Sequence, residues 1–383
     1  MNAHWKLTPL REALRRVERF EPRIDLQEYV FAGTYSYAKG IFVGERKLGA
    51  TFKLPKIQRL KTGDFVYCKI MAWEGAFGTV GSDADGCVMS GAFVAYEPNT
   101  DVVEPRFLDW YFRAPSNWQR IGRQSNGTNI RRQSLHPDQF EASNIPLPPL
   151  DEQRRIVARI DDLAAKVEEA QRLRMLSDKA TLAFVASTHA ALAKSTPEPL
   201  SSFIELNEDT TPIEIGGTYP QAGVRGFGGG LFAKPPVHGG ETTYRAFNRL
   251  YRGALVMSQV KGWEGAIAMT PEELIGCFVS PEYRTFRCKL DRCLPEYLAA
   301  LVPTEFFWGK LKDATRGVGA RRERTRPEQF LQLKFSMPSL ENQKRAIDMF
   351  TTVNSAQRLQ RKTGMAMQEL LPAILDKAFK GQL

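Results

Sequence analysis

The chain has 383 residues, 43% of them hydrophobic and 25% charged, with a formal net charge of +10 and a pI near 9.3. That apolar share lets two or three domains each bury a core, and it excludes a disordered polyelectrolyte. No 18-residue apolar run appears and no signal-type segment follows Met1, so cytoplasm is the expected location, and the excess of Lys and Arg favours a polyanionic partner such as nucleic acid.

Residues 1–20 open with Trp5, then Thr8-Pro9 as a cap and first helical position, with Leu10, Ala13, Leu14 and Val17 at helical spacing. A short amphipathic helix is expected there. From about 28 to 110, short runs rich in Val, Phe, Tyr and Ile are punctuated by Gly and Asp-Gly pairs, the pattern of a compact, mainly antiparallel β unit. Helical spacing returns over 105–122, followed by the loop Gln124 to Arg132 and a short helix entered at Pro137.

The arm Ile145-Pro146-Leu147-Pro148-Pro149-Leu150 cannot be helical, because each proline fixes φ and removes a donor. Asp151 is a suitable cap for the helix that follows, with Glu152 in its first turn. Ile156, Ile160, Leu163, Val167 and Ala170 then step by four and three residues, a coiled-coil-like seam uninterrupted by Pro or Gly until Pro197. A helix from 151 to about 194 would be about 65 Å long at 1.5 Å per residue and needs a long partner.

That partner is in the same chain. IPLPPLDEQRRIVARI at 145–160 returns as FSMPSLENQKRAIDMF at 335–350, so Leu150, Gln153 and Arg155 match Leu340, Gln343 and Arg345. The same offset pairs Trp73-Glu74-Gly75-Ala76 with Trp263-Glu264-Gly265-Ala266, Trp118 with Trp308, and Arg131-Arg132 with Arg321-Arg322. Pro9-Leu10 answers to Pro199-Leu200, yet Gly33-Thr34-Tyr35 meets Gly217-Thr218-Tyr219 six residues early, which implies an insertion in the second copy around Gly226 to Gly230. Two copies exclude a solenoid of short stacked repeats. The expected class is α/β of the α+β type: a mixed β/α domain at 1–150, a long helix at 151–195, a second domain at 196–340 and a second long helix at 341–383, with a restart or kink at Pro372. The two helices are expected to lie antiparallel, giving an internal pseudo-two-fold.

The search for chemistry is negative. The five cysteines (Cys68, Cys87, Cys277, Cys288 and Cys293) form no CxxC pair and read as reduced core thiols, and with four histidines no metal set is expected. There is no phosphate-loop, zincin or nucleophile-elbow motif, and no Asp/Asn-Pro-Pro-aromatic tetrapeptide. The run Gly226-Phe227-Gly228-Gly229-Gly230 lacks an acidic partner for a ribose and reads as a flexible turn. Glu74 and Glu264, each without a second titratable partner, are expected to position a loop rather than to catalyse.

Basic residues on loops are the candidates for nucleic acid: Arg131 and Arg132, then Arg316, Arg321, Arg322 and Arg324, together with Lys69 and Lys261 beside the matched Trp-Glu-Gly turns. Arginines shared by both copies suit phosphate anchoring, whereas readout falls to residues that differ, among them Lys39, Arg46, Lys47, Lys53 and Lys56 in the first copy and Tyr219, Arg225, Lys234 and Arg245 in the second.

IPLPPLDEQRRIV, its long helix, the echo MPSLENQKRAI and the terminal LLPAILDKAFKGQL together resemble the specificity subunit of Type I restriction-modification systems, over the whole chain. The resemblance implies a chain without catalysis or cofactor of its own. Its two target-recognition domains would each read one half of a bipartite site in double-stranded DNA. Two modification subunits, holding S-adenosylmethionine, would dock on the helices, and restriction subunits would join to form the nuclease. It assigns docking to Gln153, Ile156, Ile160, Leu163 and Val167 and to Gln343, Ile347 and Phe350. In the second arm Ser336 and Ser339 replace Pro146 and Pro149, and Asn342 replaces Glu152, which predicts a less stiff junction. The competing readings are a DNA-binding scaffold without a methyltransferase partner and an enzyme acting on nucleic acid.

Overall fold

The computed structural model describes residues 5–127, 133–316 and 324–382. Two long helices, Leu150–Leu192 and Leu340–Phe379, alternate with two sheet-rich segments, giving a mixed α/β chain. The chain divides into two compact units, residues 1–171 with 363–383, and residues 172–362.

In the first unit a four-stranded antiparallel sheet runs in the order Leu14–Val17, Phe93–Pro98, Phe65–Cys68, Phe77–Thr79. A five-stranded sheet is ordered Phe20–Pro22, Lys56–Arg59, Val88–Met89, Glu28–Thr34, Ile41–Leu48, with one parallel pairing at Phe31 and Val88. The second unit repeats both sheets with the same order and a parallel pairing at Gln221 and Phe278. Between the four-stranded sheet and the helices Pro105–Arg113 and Pro137–Ala142 lies an aromatic core of Phe65, Tyr67, Phe77, Tyr96, Phe112 and Phe140. The equivalent core of the second unit is Leu255, Met257, Ile267, Phe286, Val302 and Phe330. Four of the six rings become smaller aliphatic side chains, so the apolar pattern persists where identity and size do not.

Strand equivalences correct the expected insertion. Glu28–Thr34 matches Thr218–Val224, and Ile41–Leu48 matches Leu231–His238, at the offset of the helices, so Gly223-Val224-Arg225 is the partner of Gly33-Thr34-Tyr35. Gly226 to Gly230 is the hairpin loop equivalent to Ser36–Gly40. No residue is inserted.

The expected N-terminal helix is also corrected. Lys6–Pro9 is a strand paired with Asn144–Leu147 of the proline arm, a single helical turn spans Leu10–Ala13, and Leu14–Val17 is an edge strand. Prolines sit on this two-stranded edge because their missing N–H groups need no ladder partner there.

Each long helix serves both units by its ends. In the first unit Ile156, Val157, Ile160 and Ala164 pack into one core with Leu375, Ala378 and Phe379, whose ring meets Phe107 at 5.4 Å and Tyr111 at 5.2 Å. In the second unit Ala346, Ile347 and Phe350 pack with Val185 and Leu192. The second helix passes through Pro372 without the expected restart.

Helix entry differs from expectation by a residue or two. The first helix begins at Leu150, with the N–H of Gln153 donating to the carbonyl of Pro149 at 3.0 Å, so Asp151 lies in the first turn rather than at the cap. In the second, Ser339 is the cap, its Oγ accepting from the N–H of Asn342 at 3.3 Å. The serine that replaces a stiffening proline thus satisfies a donor at the helix start.

Candidate nucleic-acid interface

The matched tetrapeptides build one end of each unit. Gly75 and Gly265 take left-handed φ values of 80° and 72°, closing a turn on which Trp118 and Trp308 lie so tightly that a Cβ would stand 2.8 and 2.6 Å from the indole. Each turn receives a hairpin loop. The N–H groups of Tyr37 and Ala38 donate to the carbonyls of Glu74 and Gly75 at 2.7 Å, and those of Phe227 and Gly228 to Glu264 and Gly265 at 2.6 and 3.1 Å. Tyr37, Ala38 and Phe227 hold positive φ (62°, 51° and 55°), a conformation that costs a non-glycine residue about 1 kcal/mol or more and is held by the paired backbone bonds. The hydroxyl of Ser36 donates to Glu74 Oε2 at 2.9 Å, so this carboxylate positions a loop.

The same turns are tied to the arginine-bearing segments. Asn126 bridges Ser134 in the first unit, and Thr315–Arg316 pairs with Arg324–Thr325 in the second. The N–H of Leu135 donates to the carbonyl of Lys69, and that of Thr325 to Gln259, each at 2.9 Å. Hairpin loop, Trp-Glu-Gly turn and the base of the arginine segment therefore meet at one place in each unit.

The sequence candidates divide accordingly. Arg131, Arg132, Arg321 and Arg322 lie outside the described residues, between the paired bases just named. Lys69 is half-buried at the turn. Lys261 is exposed with its Nζ 3.6 Å from Glu264. Arg324 is engaged by Glu282 at 2.7 Å. Arg225 is exposed, its guanidinium 4.4 Å from the centroid of the Phe232 ring, and no carboxylate among the described residues pairs with it. Arg46 and Lys47 pair with Glu28 and Glu45, and Lys234 is exposed on the outer hairpin strand. Tyr219 is buried with its hydroxyl accepting from the N–H of Glu214 at 2.8 Å, as Tyr29 accepts from Ile24 at 3.0 Å, so it is part of the scaffold. Sequence reading missed Tyr35 and Phe42, whose rings meet at 4.7 Å on the first hairpin. The recurring signal, Gly33 with Gly40-Ile41-Phe42 and Gly223 with Gly230-Leu231-Phe232, was obscured by the false insertion.

The helix residues assigned to docking face inward. Gln153 and Gln343 are fully buried and satisfied in the same way. Gln153 Oε1 accepts from the N–H of Glu104 at 2.8 Å and its Nε2 donates to the carbonyls of Val102 and Pro148. Gln343 does the same with Leu294, Arg292 and Pro338. Ile156, Ile160, Val167 and Phe350 are buried, and Leu163 and Ile347 are partly so. The seam is thus used for the chain's own packing, because an apolar stripe of this length finds its cover in the other helix and the two sheets.

The five cysteines are unpaired, and burial pushes the Cys68 and Tyr67 groups up, away from ionisation. Among the described residues no group of three His, Cys, Asp or Glu could hold a metal ion, and no helix is long and apolar enough to cross a membrane.

Residues 59–176 match the family model of the Type I restriction modification DNA specificity domain. A search of the curated proteins gives no match. Among solved structures, one concerned with complex assembly and conformational transition of the type I R-M system is similar at TM-score 0.62 and 19% identity, covering 100% of this chain and 99% of that one. The HsdS subunit from Thermoanaerobacter tengcongensis gives 0.49 at 19% identity, covering 100% and 98%. The Type-I S subunit from M. genitalium gives 0.47 at 12%, covering 99% and 97%. The first of these carries the likeness of fold. Residues 59–176 thus carry the match to the Type I restriction modification DNA specificity domain, and the fold of the whole chain is like that of the first of these structures.

Proposed function

We propose that this chain is the non-catalytic address of a Type I complex, with each unit reading one half of a bipartite DNA site. The observation that carries the reading is the duplicated end of each unit: an invariant frame of glycine turn, indole and docked hairpin loop, on which the exposed residues differ between copies. A frame kept constant under variable side chains suits two readers with one mode of binding and different targets. The net charge of +10 supplies the non-specific attraction to phosphate. Arg131-Arg132 and Arg321-Arg322, the same in both copies, suit phosphate anchoring.

Partner contact follows from what the fold leaves open. Since most of the seam is buried, the exposed apolar side chains Leu173 and Leu176, three residues apart on one side of the first helix, offer a face to a modification subunit. S-adenosylmethionine and the methylation of adenine belong, in this reading, to those subunits, and the working location is the cytoplasm. A base-resolution adenine-methylation map of the source cell, with and without this gene, tests it. One split motif should lose its methylation when the gene is removed. An unchanged map in cells that express the modification subunit sinks the reading and leaves the DNA-binding scaffold.

A further inference from the structure

The two hairpins carry a shared device. In strand register Gly33 faces Phe42 and Gly223 faces Phe232. A Cβ on Gly33 would stand 2.5 Å from the Phe42 ring, and one on Gly223 2.8 Å from Phe232, so each glycine is what allows the ring to lie flat across its neighbouring strand. The result is an aromatic platform at the root of each loop. The residue set against it occupies the same place in both copies: its N–H donates to the carbonyl of Gly40 from Tyr35 and to that of Gly230 from Arg225, at 2.9 Å each. Its chemistry does not match. Tyr35 is 50% exposed and tilted by 46° against Phe42, whereas the Arg225 guanidinium lies over Phe232.

A guanidinium set on a ring is oriented without being neutralised. Its five donors stay available in a fixed fork, which fits the two acceptors N7 and O6 on the major-groove edge of guanine. A phenol in the same position has a single hydroxyl and an apolar face, and cannot make that two-point contact. The platform is anchored beside the Trp-Glu-Gly turn by the loop bonds described above, so the reader is held on rigid elements.

We infer that the side chain set against this platform is a specificity-determining residue of each unit: Arg225 selects a guanine in one half-site, and Tyr35 selects a different base in the other. The inference rests on the DNA-recognition reading. The test uses the full-length chain with its modification subunits and a randomised duplex library from which bound sequences are counted. Arg225→Tyr should lower the preference for guanine at one position of one half-site by about tenfold, the value expected for loss of a bidentate contact, and leave the other half-site unchanged. Arg225→Lys, which keeps the charge and loses the fork, should lose most of the same preference. Tyr35→Arg should alter the opposite half-site alone. If the wild-type complex selects a split site but Arg225→Tyr leaves its motif intact, or weakens all sequences equally, the assignment of readout is wrong while the recognition reading stands. A wild-type complex that selects no split site overturns both.

Discussion

Gln153 and Gln343 join each helix to its arm and to a loop of its unit through the same three hydrogen bonds. An amide buried with every contact made adds modest net stability, but its removal strands its partners. Gln153→Leu leaves the N–H of Glu104 and the carbonyls of Val102 and Pro148 unpaired. It should cost about 3 kcal/mol or more, read as a lower midpoint in urea unfolding. A loss below about 1 kcal/mol would mean that water replaces the amide. A second residue-scale feature distinguishes the units. His189, on the last turns of the first helix, is buried with Nδ1 2.7 Å from the Tyr297 hydroxyl, where the other unit has Phe379 and Phe107. Burial, with Lys310 nearby, brings the His189 pKa down from 6.5 to about 4. The unfolded chain accepts a proton below pH 6.5 that the folded unit refuses, so stability present above that pH is lost as pH falls towards 4. The loss should be on the order of 2–3 kcal/mol. Thermal melts across this range should show it in wild type, and His189→Phe with Tyr297→Phe, which copies the other unit, should flatten it.

At the scale of elements, the glycine turn fixes where the hairpin loop sits. Gly75→Ala and Gly265→Ala each place a methyl group at positive φ against an indole. Each should cost about 1–3 kcal/mol and loosen its own loop. Amide exchange that speeds up over residues 35–40 or 225–230 alone would register the effect, and unchanged exchange would show that the loop is held elsewhere. What the sequence made legible follows from locality. The proline arm, the helix after it and the glycine turns are dictated by residues a few positions apart, and they were read within a residue or two. The N-terminal segment was not, because four apolar residues in eight fit a helix as well as two short strands, and the decision rests with Asn144–Leu147, more than a hundred residues on. The burial of the seam residues was hidden for a related reason: periodicity reveals an apolar stripe, not which surface covers it. Of the two side chains proposed as readers, Arg225 was visible as a charge, whereas Tyr35 needed the cross-strand register.

For the whole molecule, the division into units matters more than the division into repeats. Each unit is completed by the far end of a helix from the other copy, so 363–383 belongs with residues 1–171. Val185 and His189 of the first helix stand where Leu375 and Phe379 stand in the second. A chain ending at 195 therefore carries, in its own 172–192, an equivalent of the segment that its unit lacks. Such a half-length chain should purify as a dimer that exchanges helix ends, with a mass by light scattering twice that of the polypeptide. A stable monomer would show that the first unit folds without the exchanged end.

The gapless equivalence of the copies also bears on how such a gene can change. With no residue inserted between matched strands, a tract copied from one half onto the matched codons of the other preserves reading frame, strand register and the spacing of both arms. Such conversion would transplant one half's exposed side chains onto the other's frame, so the surface of either unit can be changed within a single gene while its backbone frame is kept.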